Sequence, residues 1–370
     1  MKKIFFYSLF VVYAFLSCDK TNINNDTIFI TLSSEKSTLT LTDLFESCRF
    51  VSLETNDTLL LDKIENFSKI LTYDNCIYIG ELKTISVFDA NGKFVKKINR
   101  YGEGADTYLS LYNFMIWKDG TISINDRLSQ SIVSYSNDGV FLDRFRLKDI
   151  SILDITYLND TLLVAKADYN NKFKFYIFNR NTYELIDSYW PVSRRRFTYG
   201  MHDCFPRYEG KLLFNEPQNN LIYEITKDSA AVRYIVDIDG KTPPVGFWEQ
   251  QNMTGYELNN ERLKEGYIDN INFYAEGSIS ILLQFNGGTG VHEHYALIDK
   301  SNLKPVLFNE IVFDPGFKWK PLKMYALEDG WIVIPIPAYI LYEQASEDFL
   351  LRFPDLKEDD NPILCIAKIK

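Results

Sequence analysis

Asp119-Gly120-Thr121-Ile122-Ser123-Ile124 puts a two-residue turn signal directly before a short β-rich run, and the fold is decided by its recurrence. The other copies are Asp74-Asn75 before Cys76-Ile77-Tyr78-Ile79, Asn159-Asp160 before Thr161-Leu162-Leu163-Val164, Glu209-Gly210 before Lys211-Leu212-Leu213-Phe214, Glu276-Gly277 before Ser278-Ile279-Ser280-Ile281, and Asp329-Gly330 before Trp331-Ile332-Val333-Ile334. Such pairs are hairpin chemistry. Measured from the second turn residue, successive copies lie 45, 40, 50, 67 and 53 residues apart, a period that fits four short strands with their connections.

Working outward, the second copy continues through β-rich runs at 131–135 and 140–145 around the turn Asn137-Asp138-Gly139. The first continues through 84–88 and 93–98 around Asp89-Ala90-Asn91-Gly92. Four antiparallel strands repeated around an axis form a propeller, which leaves only short, protected edges. The expected fold class is therefore all-β: a six-bladed β-propeller of four-stranded antiparallel blades. The last copy offers only three strands, near 322–327, 331–336 and 362–369, while Arg49-Phe50-Val51-Ser52-Leu53-Glu54 has no local partner. That run is expected to close the ring by N-terminal strand pairing in the last blade. The run 27–32 reads as one more edge strand. Two insertions, 247–264 and 340–351, carry apolar positions three to four apart and read as short helical insertions. Both should crowd the face where blade connections open.

Composition agrees. With 46% hydrophobic and 24% charged residues, the 370-residue chain is neither disordered nor collagen-like. Its 24 Tyr and 27 Phe against 5 Met favour strands. Fifty acidic against 40 basic residues give a net charge of −10, which argues against nucleic acid as a partner.

Met1-Lys2-Lys3, an apolar run at 4–16 and then Ser17-Cys18-Asp19 have the three-part layout of a secretory signal. The run falls short of the roughly 20 residues that span a bilayer. A cysteine at the expected cleavage point makes the segment resemble a bacterial lipoprotein signal, in which that thiol is lipidated. The expected organisation is a signal peptide at 1–17, a tether at 18–26 and a single propeller domain at 27–370. Membrane attachment would come through the acyl chains on Cys18 alone. Cysteines 48, 76, 204 and 365 show no C-x-x-C spacing, so neither a zinc site nor a disulfide framework is indicated. Cys76 and Cys365 read as small buried hydrophobes.

Candidate chemistry is sparse. His292 and His294 alternate on a strand and would project on one face, but two ligands do not make a metal site, and no metal or cofactor is expected. Arg194, Arg195 and Arg196 suit carboxylate or sulfate groups on a ligand, with a solvated charge run as the competing reading. Nucleophile-elbow, zincin, phosphate-loop and dinucleotide signatures are absent. Paired carboxylates for glycoside cleavage depend on the fold rather than on spacing in the sequence. The remaining ligand-binding candidates on the loop face are Arg100, Tyr108, Arg127, Trp248 and Trp319, rings and hydrogen-bonding groups suited to sugar faces or peptide side chains. For Trp248 and Trp319, packing of the insertions is the competing reading. The leading expectation is a non-enzymatic binding or scaffold module engaging a glycan, a peptide or an envelope protein. Its rival is a propeller-fold hydrolase or lyase acting on a carbohydrate or peptide with channel-mouth carboxylates.

Four strings carry a family resemblance: Phe50-Val51-Ser52-Leu53-Glu54-Thr55, Ile85-Ser86-Val87-Phe88-Asp89-Ala90-Asn91-Gly92-Lys93-Phe94, Gly102-Glu103-Gly104 and Asp360-Asn361-Pro362-Ile363-Leu364. Together they resemble the six-bladed β-propeller lipoproteins of Bacteroidota, an uncharacterised family akin to NHL-repeat propellers. After Gly104 that family usually shows Pro and then Glu-Tyr. Here Ala105-Asp106-Thr107-Tyr108 keeps the tyrosine and loses the acid. The resemblance implies the fold, lipidation and an outer-membrane address in the cell envelope, and it implies no reaction.

Overall fold

A computed structural model describes residues 26–32, 37–168, 170–192, 205–215, 219–244, 247–250, 252–268, 270–287, 292–314 and 316–370. Each of the six turn signals joins the first two strands of an antiparallel sheet. At the first, Asp74 and Asn75 both adopt positive φ, 48° and 58°, the backbone that a two-residue hairpin loop requires.

The first sheet comprises Lys69–Tyr73, Cys76–Gly80, Ile85–Asp89 and Phe94–Ile98, and the second Asn113–Ile116, Ile122–Asp126, Ser131–Tyr135 and Phe141–Arg146. The third comprises Ile152–Asn159, Leu162–Ala167, Phe173–Asn179 and Leu185–Pro191. Arg207–Tyr208, Lys211–Asn215, Leu221–Ile225 and Ala230–Ile238 form the fourth, which gains Asp26–Ile30 as a parallel outer strand. The fifth comprises Asn270–Glu276, Ser280–Gly287, His292–Asp299 and Pro305–Phe308. In the last, Tyr325–Ala326, Trp331–Ile336 and Ile363–Ile369 are completed by Phe45–Ser52. That N-terminal strand pairs antiparallel with the C-terminal one, Cys365 opposite Phe50 and Ala367 opposite Cys48. The chain is thus an all-β propeller with four-stranded antiparallel blades and few helices.

Among the described residues seven sheets are present, which corrects the expectation of six. The additional one has three strands: Leu39–Thr40 runs parallel to Ile311–Asp314, which pairs antiparallel with Phe317–Trp319. No turn-plus-run signal marks it, because it is assembled from a connection and an N-terminal segment more than 250 residues away in sequence. Its Ile311, Phe313, Phe317 and Trp319 share one buried cluster with Phe273, Tyr295 and Phe308 of the fifth sheet and Ile332, Ile334 and Cys365 of the last.

Consecutive sheets bury apolar faces against one another all round the ring. Ile85, Val87 and Tyr78 of the first meet Phe114, Ile122 and Val133 of the second, and Val51, Leu364 and Ile366 of the last meet Ile70, Ile77 and Ile79 of the first. Each fully buried aliphatic side chain contributes about 1.5–3 kcal/mol, so the stacked sheets are stabilised chiefly by this packing. First strands of neighbouring sheets contact one another and line the axis.

Polar staples add specificity at the rim. The end of one sheet's outer strand reaches the outer hairpin of the next: Glu54 N–H donates to Gly92 O at 2.7 Å, Arg100 Nε to Gly139 O at 3.2 Å, and Tyr189 Oη to Thr226 O at 2.8 Å. Phe145 stacks on Tyr183 in the equivalent place, with ring centroids 4.5 Å apart. Between the fourth and fifth sheets, the buried Glu276 carboxylate accepts from Arg233 Nε and Nη2 at 2.7 and 2.9 Å, lies 3.3 Å from Lys300 Nζ and also accepts from Tyr274 Oη.

The first insertion contains helix Gly255–Glu265, capped by Thr254 in a reciprocal pair with Glu257. The second contains helices Ala338–Gln344 and Glu347–Leu350.

Candidate ligand pocket in the channel

The first strands end at the turn signals, and residues of these strands and of the turns that follow surround a cavity of about 510 Å³ on the axis. Lys69 and Tyr73 come from the first sheet, Trp117 and Lys118 from the second, Thr156 and Tyr157 from the third, Arg207 from the fourth, and Glu328 and Trp331 from the last.

Rings and cations are layered there. The Arg180 guanidinium lies 4.2 Å from the Trp117 ring centre, Trp117 stacks on Tyr157 at 5.9 Å, and the Arg207 guanidinium covers the other Tyr157 face at 3.9 Å. Such cation–ring contacts hold the rings in place. Glu328 reaches from the last sheet to the third and fourth: its carboxylate accepts the Tyr157 hydroxyl proton in a hydrogen bond and lies 3.8 Å from Arg207 Nε. Burial raises the Tyr157 hydroxyl above the ordinary tyrosine range, and the bond to Glu328 raises it further, so the group stays a neutral donor. Neighbouring turns are tied as well, with Tyr73 Oη donating to Lys118 O at 3.2 Å and Glu209 N–H to Asp329 Oδ1 at 2.8 Å. Trp117 is only 2% exposed, whereas Trp331 is 37% exposed and stands at the rim. Lys69, Lys118 and Arg207 against Glu328 leave the lining basic within a chain of net charge −10.

This pocket is at the opposite mouth from the expected loop face. Among the described residues, those anticipated there are dispersed over several sheets and insertions. Tyr108 is fully buried, packs edge-on to Tyr135 and donates to Lys83 O at 2.7 Å; burial pushes its hydroxyl up to about 12. Trp248 is buried with Phe247 and Leu258 beneath the first insertion, and Trp319 is buried beside Phe313 in the three-stranded sheet. All three rings are packed in apolar clusters: Tyr108 between the first two sheets, Trp248 within the first insertion itself, and Trp319 among the fifth, three-stranded and last sheets. Arg100 is a rim staple, not a mouth residue. Arg127 does stand at the expected mouth, over the Tyr112 ring at 4.9 Å and 3.8 Å from Asp168. His292 and His294 open the third strand of the fifth sheet, where His294 stacks on Phe285. Arg194, Arg195 and Arg196 lie outside the described residues, as does Cys18. No group of three or more His, Cys, Asp or Glu able to hold a metal occurs among the described residues. Nor is any helix among them long and apolar enough to cross a membrane.

The pocket has a signal in the sequence. Tyr73, Trp117-Lys118, Tyr157, Arg207 and Glu328 all directly precede, or lie within two residues of, a recurring turn. Large polar or aromatic residues just before five of the six turns thus gather around one end of the axis.

No curated protein matches the chain. Among solved structures it is similar to a candidate exported protein of Bacteroides fragilis NCTC 9343, at 18% identity over 93% of this chain and 99% of that one, with a TM-score of 0.74. It is also similar to a member of the DUF4221 family from Bacteroides vulgatus ATCC 8482, at 10% identity over 88% and 98% of the two chains, with a TM-score of 0.51. The model of a domain of unknown function, DUF4934, matches residues 25–368, and the chain belongs to that family.

Proposed function

We propose that the chain is an exported binding module, tethered to the cell envelope by lipid on Cys18, that holds an acidic saccharide in the channel pocket. One observation carries the ligand class: accessible rings at Tyr73 and Trp331 stand with Lys118 and Arg207 around a cavity of about 510 Å³. Flat apolar rings stack on sugar faces, and cations select a carboxylate. Export is supported by the signal-like layout of 1–18 and by the description of the Bacteroides fragilis protein. A peptide or envelope protein remains the alternative ligand, and catalysis the alternative role. Against catalysis, the lining offers one carboxylate, Glu328, where glycoside cleavage ordinarily uses two.

The test is a glycan array spanning neutral and uronate-bearing oligosaccharides, with acidic peptides as comparison, followed by calorimetry on any hit. Uronate-bearing glycans are expected to bind, and Trp331→Ala is expected to weaken them about tenfold, equivalent to about 1.4 kcal/mol. Binding unaffected by Trp331→Ala and by Lys118→Ala would refute the pocket. Turnover of the bound glycan, lost in Glu328→Gln, would establish the enzyme instead.

A further inference from the structure

The strand pair that closes the ring carries two thiols on the same face. Ala367 is opposite Cys48 and Cys365 is opposite Phe50, so Cys48 and Cys365 are diagonal neighbours across the antiparallel ladder. Their side chains touch, the two thiols sharing a hydrogen bond. Both are free thiols in this structure, Cys48 exposed and Cys365 buried.

We propose that Cys48 and Cys365 form a reversible disulfide that closes the propeller covalently in an oxidising envelope. Cys48 is the attacking group. It is reachable from solvent, and the hydrogen bond from Cys365 together with the nearby Arg352 charge outweighs burial and brings its thiol down to about 7. A thiol near neutrality is substantially ionised at envelope pH and attacks disulfides readily. The oxidant is a disulfide, either of a small thiol or of an oxidoreductase. Cys48 thiolate attacks one of its sulfurs, forming a mixed disulfide and releasing one thiolate. Cys365, whose buried thiol is held well above the ordinary range, passes its proton to the released thiolate as it attacks Cys48 Sγ, expelling the second thiolate. Two protein thiols lose two electrons and two protons, and the oxidant is reduced to two thiols.

The position gives the bond its consequence. It spans almost the whole chain, joining the N-terminal strand to the C-terminal one in the only sheet built from both ends among those described. Cross-links that enclose long loops remove the most freedom from the unfolded chain. Oxidation should therefore raise resistance to denaturant without altering the fold. Cys76 lies in the first sheet and is not part of this pair.

The experiment uses the full chain equilibrated with reduced or oxidised glutathione, quenched by alkylation in denaturant and digested. Oxidation is expected to yield one cross-linked peptide pair containing Cys48 and Cys365, and to move the urea midpoint upward. Reductant should reverse both changes, and Cys48→Ser, at an exposed position, should abolish both while folding normally. Cys365 fully alkylated after oxidation, Cys48 linked only between molecules, or a cross-link that leaves the midpoint unmoved would each overturn the proposal.

Discussion

Replacing Glu276 by alanine tests whether charged staples, and not packing alone, hold consecutive sheets together. The carboxylate is fully buried and accepts two hydrogen bonds from Arg233 of the fourth sheet, with Lys300 and Tyr274 of its own sheet completing the cage. Removing one partner of a buried pair costs about 3–5 kcal/mol, because the other charge stays behind. Arg233 keeps Glu224 at 3.5 Å and is partly exposed, so the lower end, about 3 kcal/mol, applies. With a urea slope of about 3 kcal/mol per molar, the midpoint should fall by roughly 1 M. Glu276→Gln should not rescue it, since its amide turns N–H donors toward donors. The pH dependence has a definite sign. Burial pushes the Glu276 carboxyl up, but hydrogen bonds from Arg233 and Tyr274 and the charges of Arg233 and Lys300 outweigh it and hold it below its ordinary 4.5. A depressed carboxyl stabilises the fold fully above its unfolded value and loses that contribution as pH falls through the folded one. The gap between wild type and variant, followed by fluorescence in urea, should therefore be constant near neutrality and shrink below pH 4.5. A midpoint shift under about 0.3 M, or a gap unchanged down to pH 3, refutes the reasoning.

Three further outcomes can be measured. Gly92 has φ +85°, and a Cβ there would stand 2.0 Å from Ser52 O, so Gly92→Ala should destabilise the ring closure by about 2–4 kcal/mol in urea unfolding. Asn361 is buried, accepts from Leu61 N–H at 2.7 Å and donates to Glu54 O and Leu59 O at 2.9 and 2.7 Å; Asn361→Ala should cost about 2–4 kcal/mol, and an unchanged midpoint would contradict that role. Cys18→Ala should move the protein from the membrane to the soluble fraction, and unaltered fractionation would count against the lipid tether.

Two of the strings behind the family resemblance meet at this closure. Asn361 N–H donates to Thr55 Oγ1, so the segments beginning at Phe50 and Asp360, three hundred residues apart, are one local structure. Each is a loop end whose side chains make sense only against the other.

Turn chemistry and alternation are short-range, and they revealed the antiparallel sheets, the hairpins at Asp119-Gly120 and its relatives, and the need for an N-terminal strand to complete the last sheet. The first insertion's helix was legible from its apolar spacing, but not its start: the helical pattern opened at Phe247, whereas Thr254 caps a helix that begins at Gly255. The three-stranded sheet, the outer place of Asp26–Ile30, the burial of Tyr108, Trp248 and Trp319, and the convergence of Tyr157, Arg207 and Glu328 were set by tertiary structure alone. Ring closure brings residues from five sheets to one axis, and no local pattern encodes which end of that axis a side chain will face or what will cover it.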